Sequence, residues 1–375
     1  MVPRVGESGR VLLLTLRQKQ LFAVFFDSLK IRRLLVASKN QRRVMTLISQ
    51  DQGKYVATDG EFIRDTTYIS DRIVASAHPG IPTAQLDGTF HWPVEPNRYR
   101  LIAARACPWA HRTVIVRSLL GLDKVISLGL AAPTHDVRSW NFDLDPAGVD
   151  PVLGISRLQD AYFKRFPNYP RGITVPTIVD VPTGTVVTND YASMTLDFST
   201  EWHQYHKPDA PDLYPEDLRP EIDELNAMMF TTINNGVYRC GFSGSQDAYN
   251  NAFDQLFGAL DTLEERLADN RYLMGDRITE ADVRLFPTLV RFDAVYHNHF
   301  KCNRNRISDM PHLWGYLRDL YQTPGFGDTT DFQQIKEHYY IVHRDINPTG
   351  IVPKGPDTSQ FASPHHRERL SRRGH

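Results

Sequence analysis

Between Arg98 and Leu130 the chain passes through a strand, a helix and a second strand, and this unit constrains the fold more than any other feature. Arg98 to Ala104 (RYRLIAA) suits a buried strand. Thr113 to Leu120 is apolar at helical spacing, and Gly121 supplies a C-terminal stop. Val125 to Leu130 reads as the second strand. Two strands joined by one short helical crossover must lie parallel, so the chain opens its ordered part with a βαβ unit.

Cys107-Pro108 stands where that first strand becomes the helix. A side chain there meets unpaired backbone N–H groups and the positive end of the helix dipole. Both favour thiolate over thiol, which predicts a lowered pKa and a nucleophilic Cys107. Pro108 fits the first helical turn, where its missing N–H is no loss. Ala110 occupies the place of a resolving cysteine, so the chemistry is monothiol, with mixed disulfides to a small thiol. The plainer alternative is a cysteine serving as a small buried hydrophobe. That reading fits Cys240 and Cys302, which lack such a setting. Three cysteines with no close pair argue against a disulfide framework and for a reducing compartment, the cytoplasm.

Ala131 to about Arg171 is expected to be a long loop carrying Trp140. Ile173 to Val179 and Thr185 to Thr188 read as strands joined by a Pro182-Thr183-Gly184 turn. Val175-Pro176 within the first is a candidate cis peptide. Asn189 or Asp190 can cap a helix over Ala192 to Tyr205. Beyond Pro208, Pro211 and Pro215 helical periodicity takes over, at Pro220 to Ile233, Ala248 to Ala268, Glu280 to Tyr296 and His312 to Tyr321. Thr279 with Asp282 forms a capping box before the third of these.

The expected organisation is an α/β domain followed by an all-α one. Residues 1–50 read as a disordered extension or a start codon placed ahead of Met45. An irregular arm and the α/β domain fill 51–206, the helical domain fills 207–355, and a disordered tail fills 356–375. No uninterrupted apolar run in the first fifty residues reaches the ~18 residues a membrane span needs. A net charge of -1 gives neither nucleic acid nor an anionic membrane a handle. No metal site is expected: His297-Asn298-His299 has no carboxylate at ligand spacing.

Cys107-Pro108-Trp109-Ala110 before a helix, then Val175-Pro176-Thr177, a polar turn at Asn189-Asp190 and a helical half with a capping box together resemble a glutathione transferase. Within that superfamily the chain is most similar to the glutathionyl-hydroquinone reductases, the Xi class. The likeness rests on CPWAHR at Cys107–Arg112, NNGVY at Asn234–Tyr238, LVRFD at Leu289–Asp293, HFKC at His299–Cys302, RISD at Arg306–Asp309 and INPTGI at Ile346–Ile351. It extends from about Ile63 to Gly355.

The resemblance implies a thioredoxin-like N-terminal domain, an all-helical C-terminal domain of the glutathione-transferase type, and a homodimer. It implies no permanently bound cofactor, with glutathione as thiol co-substrate and quinol conjugates as substrates. Cys107 would attack the sulfur of an S-conjugated hydroquinone, and a second thiol would resolve the mixed disulfide. Tyr238 and Tyr339 match the family's active-site tyrosines, and Tyr296 is a third candidate. Trp140 would pack on the thiol ligand, and Val175-Pro176 would present its backbone to the cysteinyl part. At the turn meeting the γ-glutamyl group the family has Glu-Ser, whereas this chain has Asp190-Tyr191. A basic residue usual just before the strand is lost, with Arg171 and Gly172 at the turn. These departures imply weak glutathione binding and favour another small thiol, such as mycothiol. A transferase joining thiols to electrophiles and a non-enzymatic interaction module are the competing readings.

Overall fold

The arm after residue 50 is where the structure first departs from expectation. The computed structural model describes residues 54–57, 59–76, 83–84, 90–136 and 138–371, so the expected extension over 1–50 lies outside the described residues. In place of irregular chain the arm holds two small sheets. Strands β1 (Lys54–Val56) and β2 (Phe62–Arg64) pair antiparallel. β3 (Arg72–Val74), β4 (Thr83–Ala84) and β5 (Phe90–Pro93) form the other sheet, with β5 in the middle. Buried polar contacts fasten this arm. The Asp71 carboxylate accepts from Trp92 Nε1 at 2.9 Å and from Arg165 Nη2 at 2.6 Å, and Arg72 clamps Asp197.

The central sheet follows. In β6 (Tyr99–Ala104) all six residues are buried, as a strand covered on both faces requires. β6 pairs parallel with β7 (Ile126–Ala131), Tyr99 opposite Ile126. Its other edge pairs antiparallel with β8 (Thr177–Asp180), which pairs in turn with β9 (Thr185–Thr188), giving the order β7-β6-β8-β9. Helix α1 (Pro108–Leu119) makes the expected crossover, and Gly121, with φ of 73°, turns the chain out of it.

Two expectations in this half need correction. The loop from Ala131 to Arg171 contains a helix, α2 (Gln159–Arg165). Leu158, Ala161 and Tyr162 give it one buried face, and Arg165 donates to the Val186 and Val187 carbonyls of the outer strand β9 at 3.0 and 2.9 Å. The Val175–Pro176 peptide is cis. The strand expected from Ile173 begins only at Thr177, because Pro176 has no N–H for the ladder. α3 (Tyr191–Thr200) then starts from Asp190 as N-cap.

The remaining main helices are α4 (Arg219–Met229), α5 (Gly236–Gly241), α6 (Gln246–Asp269), α7 (Glu280–Arg291), α8 (Pro311–Gln322) and α9 (Phe332–Val342). A thioredoxin-like sheet layer thus precedes a helical half, as expected. The capping box at α7 is present: Asp282 accepts from Thr279 N–H at 2.8 Å and also from Leu273 N–H and the Tyr316 hydroxyl. Five-residue π-helical turns follow α4 and α7, at Phe230–Asn234 and Phe292–Tyr296. α1 packs against α3 and α7, so the helix bearing Cys107 lies between the two halves.

The tail from Pro356, expected to be disordered, is packed as far as it is described. Phe361 is buried against Trp314, Tyr321 and Phe332. Arg367 is buried too, and donates to the carbonyls of Leu267, Asn270 and Arg271 at the end of α6. The unpaired carbonyls of a helix C-terminus need such donors. Among the described residues no helix is long and apolar enough to cross a membrane.

Candidate active site

Cys107 is the N-cap of α1 and has extended backbone (φ −78°, ψ 118°). Its N–H donates to the Ala104 carbonyl at 3.0 Å, which closes the turn out of β6. Its sulfur accepts from the Ala110 N–H at 3.4 Å, as a helix start provides. The thiol in turn donates to the Val175 carbonyl at 3.4 Å. The nucleophile and the cis turn are therefore in direct contact.

The expected lowering of the thiol pKa is not what this arrangement produces. Burial pushes the Cys107 thiol up. The Ala110 N–H, the Arg291 guanidinium, the Trp109 N–H and the Arg64 guanidinium pull it back, but only in part. The helix start does favour thiolate, and desolvation outweighs it.

The cis turn is held from behind by Tyr162, which gave no signal in the sequence, and by Asn189, expected there only as a cap or turn residue. Tyr162 donates to the Thr174 carbonyl at 3.1 Å and bonds Thr177 Oγ1 at 2.7 Å. Asn189 Nδ2 donates to Thr174 Oγ1 at 2.8 Å, while Asn189 Oδ1 accepts from the Ile69 N–H. Asp190 uses its carboxylate to cap α3, accepting from the Ala192 and Ser193 N–H groups and, at 2.7 Å, from the Ser193 hydroxyl. The Tyr191 ring is buried and packs 4.9 Å from Trp109 and 5.4 Å from Tyr68, centroid to centroid. It forms part of an aromatic wall around Trp109.

Trp140 is buried and stacks on His338 of α9, with centroids 5.3 Å apart and planes 15° apart. His338 Nδ1 lies 2.7 Å from the Pro133 carbonyl, which orients the ring.

The three tyrosines singled out by sequence meet in one cluster. Tyr238 comes from α5, Tyr339 from α9 and Tyr296 from the π-helical turn after α7. The Tyr238 and Tyr339 hydroxyls are 2.6 Å apart, and the Tyr296 and Tyr339 hydroxyls 3.0 Å apart. Burial raises the pKa of all three. The Arg64 guanidinium acts against this at Tyr238, and the neighbouring Cys107 adds to it. Phe300 and Phe242 back the Tyr238 ring. Gly241 lets Phe300 lie there: a Cβ at Gly241 would come within 2.2 Å of the ring.

Two arginines complete the surroundings of Cys107. Arg291 is fully buried, donating to the Arg105 and Ala106 carbonyls at 2.7 and 3.0 Å and to His111 Nδ1 at 3.1 Å. It fixes the turn leading into Cys107 from the helical half. Arg64, on β2, lies over the Tyr238 and Trp109 rings at 4.6 and 4.7 Å. Arg291 could have been found through the LVRFD motif. Arg64 had no signal, because the arm read as irregular. Cys240 and Cys302 are buried, which suits the packing role expected of them.

A thioredoxin-like sheet, a helical half and a cysteine at the start of the first helix define the class, a glutathione transferase. The family models agree. The glutathione S-transferase N-terminal domain matches residues 106–198, and the C-terminal domain matches 246–319. The glutathionyl-hydroquinone reductase YqjG of Escherichia coli is 41% identical over 83% of this chain and 94% of its own length. Its glutathione-bound structure superposes with a TM-score of 0.73 at 42% identity, over 79% of this chain and 94% of that one. A glutathione transferase from Gordonia bronchialis is 67% identical with a TM-score of 0.77, over 81% of this chain and 91% of that one. The Xi-class enzyme from Natrialba magadii is 38% identical with a TM-score of 0.75, over 86% and 98%. This chain belongs to the glutathionyl-hydroquinone reductases, the Xi class of glutathione transferases.

Proposed function

We propose that this chain strips glutathione from S-conjugated hydroquinones through a mixed disulfide on Cys107. One observation carries the reading. The Cys107 thiol touches the Val175 carbonyl, and its neighbour Tyr238, whose ring stacks on Trp109, is hydroxyl-bonded to Tyr339. A transferase that joins thiols to electrophiles needs a hydroxyl to hold its ligand's thiolate and has no use for a protein nucleophile.

The Cys107 thiolate attacks the conjugate's sulfur, and an S–S bond forms as the aryl C–S bond breaks. The ring carbon that bore the sulfur takes up its proton before the attack, and the hydroquinone leaves. A second glutathione attacks the mixed disulfide, giving glutathione disulfide and free Cys107. Each of the two glutathionyl sulfurs, one from the conjugate and one from the second glutathione, loses one electron, and the ring carbon gains both as C–S becomes C–H. Tyr238 is the acid nearest the sulfur, Tyr339 aligns it, and Tyr296 stands behind Tyr339. The backbone of Val175, beside Pro176, pairs with the cysteinyl amide, while Trp140 packs on the ligand. The α3 start at Asp190-Tyr191 receives the γ-glutamyl carboxylate through backbone amides. The glutathione bound to the E. coli relative supports glutathione as the thiol, and the comparisons give no support to mycothiol. The same reading makes the protein a cytoplasmic homodimer, to be checked by sedimentation.

The deciding experiment supplies S-glutathionyl hydroquinone and glutathione, and follows release of hydroquinone and glutathione disulfide. Mass spectrometry then looks for a single glutathione on Cys107. Undiminished turnover by Cys107→Ser would exclude the mechanism.

A further inference from the structure

Arg64 is a cation without a carboxylate. Among the described residues no acidic side chain lies within ion-pair distance of it, whereas Arg72, which follows it in the same arm, clamps Asp197. Its Nε donates to Asn235 Oδ1 at 2.8 Å, which fixes the guanidinium from the helical half. The guanidinium carbon then lies beside the stacked Trp109 and Tyr238 rings, 4.7 and 4.6 Å from their centroids, with Phe62 at 5.4 Å. Nη2 is buried and has no hydrogen-bond partner. A charged donor left so is costly, and such groups cluster where a ligand completes them. The groups that feel its charge are Cys107, Tyr238 and Tyr68, the first two being the nucleophile and the acid of the proposed reaction.

We propose that Arg64 binds the quinol oxygen next to the scissile C–S bond and stabilises it as a phenolate when the sulfur leaves. The inference rests on the reductase reading above. Breaking an aryl C–S bond by attack on sulfur sends the bonding pair into the ring. Once Tyr238 has protonated the sulfur-bearing carbon and the adjacent hydroxyl has given up its proton, that oxygen is a ketone. The attack of Cys107 then forms the S–S bond and breaks the C–S bond. The electron pair moves through the ring to the oxygen, leaving a phenolate that takes back a proton. Arg64 is placed beside both Cys107 and Tyr238, where that negative charge develops. The substrate class follows: aryl conjugates with an oxygen ortho to sulfur, and not thioethers without one.

The test compares wild type with Arg64→Met and Arg64→Lys on glutathionyl conjugates of hydroquinone and of its chlorinated forms. Removing an oxyanion donor costs about 10²-fold or more. Arg64→Met should lose about that on the unsubstituted conjugate and under about tenfold on the most chlorinated, whose phenolate needs less help. Arg64→Lys should recover part of the loss. The high-pH plateau of Cys107 reaction with a simple aromatic disulfide should stay unchanged. An equal loss across the series, or a fallen plateau, overturns the proposal in favour of a structural role. A second measurement needs no turnover: 4-nitrophenol bound to wild type should ionise at lower pH than when bound to Arg64→Met. If no conjugate is turned over, the reductase reading fails, and this shift still reports whether Arg64 binds a phenolate. Equal ionisation in both proteins overturns it.

Discussion

The Cys107 thiol donates to the carbonyl of Val175 at 3.4 Å, the same carbonyl that a peptide-like thiol ligand is expected to use. The two claims on one acceptor compete. While the thiol holds it, the bond favours the protonated form and adds to the effect of burial.

Binding a glutathione with its own sulfur blocked, such as S-methylglutathione, should therefore shift Cys107 towards thiolate. In the free protein, alkylation of Cys107 should climb about tenfold per pH unit to beyond the ordinary thiol value of about 8.5. The reactive form is the thiolate, so a raised pKa leaves less of it at neutral pH. With S-methylglutathione bound, the midpoint should move to lower pH. A profile that stays put would show that Val175 does not govern the thiol.

Tyr238→Phe and Tyr339→Phe should each lower turnover by about 10²-fold, the usual worth of a general acid. Tyr296→Phe, one bond further away, should cost less. All three phenols have raised pKa values, so their protonated form persists through neutral and mildly alkaline pH. The alkaline fall in kcat should accordingly begin only above the ordinary tyrosine value of about 10. Stopped-flow release of hydroquinone at varied pH reads both effects.

Asp282→Ala should destabilise the protein by about 3 kcal/mol. The carboxylate takes two backbone N–H groups and a buried tyrosine hydroxyl, and each donor left without a partner costs about 1–3 kcal/mol. The urea midpoint should fall while the slope holds.

Arg367→Ala should cost about 2 kcal/mol by freeing carbonyls at the end of α6. A chain cut after Gly355 should lose more, because Phe361 goes too. If the cut protein has an unchanged urea midpoint, the packed tail contributes nothing to stability.

Much of this was legible in advance. The βαβ unit around Cys107 shows in its periodicity, and the capping box at Thr279 and Asp282 is a purely local pattern. Cys107 at a helix start and the cis Val175–Pro176 turn are local too. The misses have two physical origins. α2 is short, and α9 has polar residues around Ile335 and Tyr339, although Asp331 caps it through the Gln334 N–H. Asn189 and Arg64 act through partners far along the chain, at Ile69 and Asn235, and no window of sequence holds both ends. The thiol pKa was misjudged for a related reason. A helix start is visible in sequence, whereas the burial that outweighs it is not.

Placed beside the matched family regions, the parts of the site divide. Cys107, Trp140, Val175 and Asp190 fall within 106–198, the portion held in common with other glutathione transferases. Arg64, Tyr238 and Tyr339 fall outside both 106–198 and 246–319. Arg64 and Tyr339 lie beyond the outer limits of the two matched regions, Tyr238 lies between them, and Tyr296 falls inside the second, so the tyrosine cluster draws on chain from inside and outside the matches. A protein trimmed to the shared region would lack Arg64 and Tyr339 altogether. Changes in the arm and in α9 can therefore reach Arg64 and Tyr339 without touching the helix start that carries Cys107.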